Sequence, residues 1–99
     1  MQEPDEIEVS EFEWDDDNIS HCSRHNVTPS LAEVVKDRQP KFFRNKEERT
    51  GTHVMVGPDE GERFWTIIIL PTVKSGRWRP ITGWPSDKPE IKMYMDAME

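Results

Sequence analysis

The segment that most restricts this chain is Arg63-Phe64-Trp65-Thr66-Ile67-Ile68-Ile69-Leu70. It is dense in β-branched and aromatic residues, which fit a pleated, buried surface. It is bounded by Gly57-Pro58-Asp59-Glu60-Gly61 before it and Lys74-Ser75-Gly76 after it, both turn signals. The longest apolar run, Ile67 to Leu70, is strand-length and far short of the roughly 20 residues that a membrane span needs. A central strand is therefore expected over 63–70, and the rest of the chain must cover it.

Strand-like segments flank it. Lys41–Asn45, His53–Val56 and Arg77–Gly83 read as its neighbours, with Pro80 favouring an edge position for the last. Upstream, Phe12-Glu13-Trp14 reads as a brief strand leading into Asp15-Asp16-Asp17-Asn18, a helix start rich in capping oxygens. A short helix over about 16–25 ends near Asn26, and Thr28-Pro29 opens a second whose apolar face is Leu31, Val34 and Val35. Asp87-x-x-Glu90 resembles a capping box for a final helix with Ile91, Tyr94, Met95 and Met98 on one side. The expected fold class is α+β: two short N-terminal helices, a three- to four-stranded antiparallel sheet, and a C-terminal helix, with the helices on one face.

Thirteen Lys and Arg against 20 Asp and Glu give a net charge of −7. Nine of the acids lie in residues 1–18, which hold no Lys or Arg, so 13 cations face 11 acids in the remainder. Residues 1–11 are expected to be an acidic, flexible arm with frayed ends, in which Ile7 and Val9 favour a short edge strand; residues 12–99 form a single domain. The N-terminus lacks the apolar stretch of a signal peptide. The lone cysteine, Cys22, excludes an intrachain disulfide, fits a reducing cytosol, and reads as a small core residue.

Two constellations carry chemistry. His21 and His25 have one-turn spacing, but His53 is the only other imidazole and no glutamate lies between the pair, so neither metal nor cofactor is expected. His21, Arg24 and His25, with the strand cations Arg63, Arg77 and Arg79, instead suit metal-free RNA cleavage. Histidine can move protons near neutral pH, and arginine holds phosphate through a two-pronged fork. Among the tryptophans, Trp14 and Trp65 read as core, whereas Trp78 and Trp84 lie among arginines and prolines, where aromatics can stack bases or anchor an interface; the reading favoured is an interface, with a protein partner or between two copies.

The order of motifs resembles the BrnT family of bacterial type II toxins, relatives of the RelE toxins. Phe12-Glu13-Trp14-Asp15 and Asn18-x-x-His21-x-x-Arg24-His25-x-Val27-Thr28-Pro29 match its opening. Val54-Met55-Val56-Gly57-Pro58 with Arg63-Phe64-x-Thr66-Ile67-Ile68 resembles its middle strands, and Arg79-Pro80-Ile81-Thr82 with Pro85, Glu90 and Tyr94 resembles its close. The resemblance covers residues 12–95. It implies a cytoplasmic endoribonuclease that restrains growth, needs no metal, and is neutralised by a cognate antitoxin carrying a DNA-binding domain. His21, His25, Arg24, Arg63 and Arg79 are the site residues expected on this basis. The family carries arginines where this chain has Thr52 and Trp84, and its next basic cluster is thinned here to Lys88 between Asp87 and Pro89. The alternative is a non-catalytic interaction module on the same fold.

Overall fold

The structure is a computed structural model that describes residues 3–99. In chain order the elements are β1 (Glu11–Phe12), α1 (Asp16–Ser23), α2 (Pro29–Asp37), β2 (Lys41–Arg44), β3 (His53–Pro58), β4 (Phe64–Pro71), β5 (Arg77–Pro85) and α3 (Lys88–Ala97). The class is α+β as expected, but the sheet has five strands, in the order β1-β5-β4-β3-β2. Strands β2 to β5 are antiparallel, and the two-residue β1 adds in parallel to β5, pairing Glu11 with Arg77 and Phe12 with Trp78. The mixed sheet corrects the expected three- to four-stranded antiparallel one.

The helices also divide between the two faces, which corrects the one-face expectation. Residues alternate in direction along a strand. Trp65, Ile67 and Ile69 of β4 join Met55 in a core with Cys22, Val27, Ala32 and Val35 from the α1–α2 region. On the other side Phe43 and Val56 pack with Tyr94 of α3, and Phe64 adds to them. Thr66 and Ile67 are both fully buried. The unbroken apolar run in β4 is thus the signature of a strand covered on both faces.

Local chemistry fixes the helix ends. Asp15 caps α1 by accepting from Asn18 N at 3.1 Å, while Asn18 Oδ1 accepts from Asp15 N at 2.7 Å. The chain leaves α1 at Arg24 and turns at Asn26, whose φ of 67° lies in the left-handed region that asparagine tolerates. Thr28 Oγ1 accepts from Leu31 N, with Pro29 opening α2, and Asp87 and Glu90 form the capping box of α3.

The acidic N-terminal segment lies along the body. Asp5 N donates to Phe42 O at 2.7 Å on β2, Trp78 Nε1 donates to Glu8 O at 2.8 Å, and Ser10 N donates to Gly76 O at 2.8 Å. Between these anchors Ile7 and Val9 pack on the α1–α2 core. His53 Nε2 lies 2.7 Å from Asp5 Oδ2, and this bond holds the Asp5 carboxyl below the usual carboxylate range. The same imidazole meets Thr52 Oγ1 at 2.9 Å and stands edge-on to Trp78. Trp78 is therefore core rather than interface.

The β2–β3 connection folds back over β4. Thr52 N donates to Ile69 O at 3.1 Å, and Gly51 is buried tightly against the strand. A Cβ at Gly51 would land on Ile68 Cγ2 and lie 2.9 Å from Ile69 O.

Candidate functional site

Asp17, Asn18 and His21 share a side of α1, being spaced by three and four residues. This side faces Arg79, Ile81 and Thr82 of β5, and the β2–β3 loop adds Thr50, so the seven residues line a groove of about 480 Å³. A bulge sets the β5 wall. Ile68 pairs with Thr82 but Ile69 with Pro80, leaving Ile81 as the extra residue. Asn18 closes the seam between helix and strand. It is buried, and its Nδ2 donates to Glu13 O at 2.8 Å and Pro80 O at 2.9 Å.

Arg79 is held by carboxylates. Its Nη1 and Nη2 donate to Asp15 Oδ2 and Oδ1 at 2.7 and 2.9 Å, and Nη1 also reaches Glu13 Oε2 at 3.4 Å. The Arg79 bonds, reinforced by the backbone N–H of Asn18, push the Asp15 pKa down to about 2. The carboxylates in turn raise that of Arg79. The pairing continues along the strand. Glu13 Oε1 lies 3.6 Å from Arg77 Nε, and Glu11 Oε1 lies 3.0 Å from Lys74 Nζ and 3.9 Å from Arg77 Nη1. Residues 11, 13 and 15, two apart on an extended chain, thus meet 77 and 79, two apart on β5.

Of the five residues expected in the site, His21 and Arg79 line the groove together. Arg24 and His25 are exposed in the turn after α1. The one-turn spacing of His21 and His25 presumes a helix that reaches residue 25, whereas α1 ends at Ser23. Arg63 is exposed before β4, where its backbone N–H donates to Asp59 Oδ1 at 3.0 Å. Arg79 pairs with Leu70, at the far end of the same strand. Seven residues of extended chain separate the two positions, roughly 23 Å.

Thr52 and Trp84 are each hydrogen-bonded within the chain. Trp84 Nε1 donates to the Glu90 carboxylate at 3.1 and 3.2 Å, and Thr52 bonds to His53. Tyr94 is buried, its hydroxyl donating to Gln39 O at 3.2 Å. Cys22 is fully buried, and burial pushes its thiol pKa up to about 11, which leaves it protonated and unreactive near neutral pH. In the sequence Asp17 belongs only to the helix start and Thr82 only to the motif at the chain's close, while Thr50 carries no local signal; the fold brings all three to the groove.

Among the described residues no group of three His, Cys, Asp or Glu side chains is gathered to hold a metal, and no helix is long and apolar enough to cross a membrane. No family model, curated protein or solved structure matches this chain.

Proposed function

We propose that this chain is a BrnT-like toxin of a type II toxin–antitoxin system, a metal-independent endoribonuclease acting in the bacterial cytoplasm. The observation that carries the reading is the shared groove of His21 and Arg79. In this role His21 takes the proton of a ribose 2′-hydroxyl, whose oxygen attacks the adjacent phosphorus. The 5′-oxygen of the next nucleotide leaves and takes a proton from water in the open groove, giving a 2′,3′-cyclic phosphate. Arg79 supplies positive charge beside the phosphorane, and Asp15 fixes its plane. The partner on this reading is an antitoxin with a DNA-binding domain.

The engaged fork of Arg79 favours a second reading, a non-catalytic interaction module. Phosphate must displace carboxylate from that guanidinium or share it, and Asp17 adds negative charge at the rim.

Induced expression in a bacterial host, with and without the adjacent reading frame, tests the two. Growth arrest with loss of bulk RNA, relieved by the adjacent gene, is the expected result. Normal growth at high expression, with intact RNA, rejects the toxin and leaves the interaction module.

A further inference from the structure

A second groove, of about 430 Å³, lies between the β2–β3 connection, β3, the end of β5 and α3. Its apolar lining comes from Val54 and Val56 of β3 and Met93 of α3, with the Trp84 indole beside them. Glu90 also lines it, tying the indole N–H and the Asp87 backbone N–H to its carboxylate. Lys46 and Arg49 contribute exposed cations. Among the described residues no carboxylate forms an ion pair with either, so both charges face the solvent beside the groove.

A pattern of the same kind occurs elsewhere in the chain, where β1 pairs with β5. In Glu11-Phe12-Glu13 the aromatic ring enters the core while the flanking carboxylates meet Lys74, Arg77 and Arg79. Acid–apolar alternation is thereby matched to an apolar surface flanked by cations.

We propose that the groove of Val54, Met93 and Trp84, which packs over the buried Val56 and has Lys46 and Arg49 beside it, docks an acidic amphipathic segment of a partner protein. Complementary charge selects the acidic residues of the segment, and the aliphatic floor takes the side chains between them. Nucleotide bases are a poorer match, because they stack on π-faces and Trp84 is the one aromatic side chain among the residues lining the groove. The site is separate from the groove of His21 and Arg79 and does not depend on the ribonuclease reading.

The test uses the full chain and three labelled probes: a short peptide alternating glutamate with valine, its lysine counterpart, and a short oligouridylate. Fluorescence polarisation gives affinity, and NMR of the Met93 methyl and Trp84 indole N–H gives the location. The acidic peptide is expected to bind, to move both signals, and to lose at least tenfold in affinity to Lys46→Glu/Arg49→Glu. Both substituted side chains are exposed, and circular dichroism checks that the variant keeps its fold. Absence of acidic-peptide binding, equal binding of the lysine peptide, unmoved Met93 and Trp84 signals, or full affinity in the folded variant would overturn the proposal. So would tighter oligouridylate binding with the same shifts, which would give the groove to nucleic acid. The NMR map on the unaltered chain decides the location whatever the variant does.

Discussion

The carboxylate of Asp15 receives both prongs of the Arg79 guanidinium, at 2.7 and 2.9 Å, while also capping α1 through Asn18 N. One side chain therefore starts the helix and fixes the strand cation beside it. The bonded carboxylate titrates at about 2, below its ordinary 3.8. Its contribution to stability is complete above the ordinary value and is lost as the pH falls through about 2. Urea midpoints of the parent are expected to fall between pH 4 and pH 2, and the fall should be shallower in Asp15→Asn, whose midpoint at neutral pH is lower than the parent's.

Asn18 is the buried joint between α1 and β5. Asn18→Ala removes both donors to Glu13 O and Pro80 O and the acceptor for Asp15 N, a loss of about 2–4 kcal/mol. Asn18→Asp is expected to cost more, because its carboxylate would face two carbonyls with no proton to offer. Denaturant unfolding measures both; a variant as stable as the parent would show that the joint contributes nothing.

Gly51→Ala is expected to destabilise by about 1–3 kcal/mol through overpacking. The added methyl meets a branched side chain and the Ile69 carbonyl, neither of which can swing aside. Ile68→Ala costs stability by itself because Ile68 is buried, but it removes the first contact and leaves the second. In a double-mutant cycle followed by thermal melts, the Gly51→Ala penalty should therefore be smaller in the Ile68→Ala background without vanishing.

The carboxylates that neutralise the β5 cations are Glu11, Glu13 and Asp15, and the segment before them has a different task. Deleting residues 1–10 removes Asp5 from His53 and the Glu8 carbonyl from Trp78. Lower stability and greater quenching of tryptophan fluorescence are expected, with RNA affinity little changed. Glu11→Gln/Glu13→Gln instead frees Arg77 and weakens the hold on Arg79, so RNA binding should tighten and its salt dependence steepen. Filter binding across a salt series separates the deletion from the double substitution.

Much of the fold is legible in local chemistry. Thr28-Pro29, Asp87 with Glu90, and the turn around Gly57-Pro58 each act within a few residues, so the helices and the strands β2 to β5 can be read directly. Docking of α3 on the opposite face is less visible, although the run from Trp65 to Ile69 carries it in principle. Glu8 finds Trp78 across seventy residues of chain, Ile7 and Val9 pack on a core assembled from distant elements, and no local pattern reports such contacts. The candidate site is legible in the same proportion. His21 and Asn18 follow from the helix motif, while Arg79 meets them only because of the β4–β5 register. His25 fails to join them because α1 stops two residues short of it.

That difference between the two histidines gives the most direct test. Purified chain, His21→Ala and His25→Ala are each incubated with bulk RNA in the presence of a chelator, and the rate of 2′,3′-cyclic phosphate formation is followed. The expected result is cleavage by the parent, a loss of about 100-fold or more in His21→Ala, and a rate within a few-fold of the parent in His25→Ala. No cleavage by the parent, or equal rates in parent and His21→Ala, would contradict a ribonuclease site in the groove of His21 and Arg79.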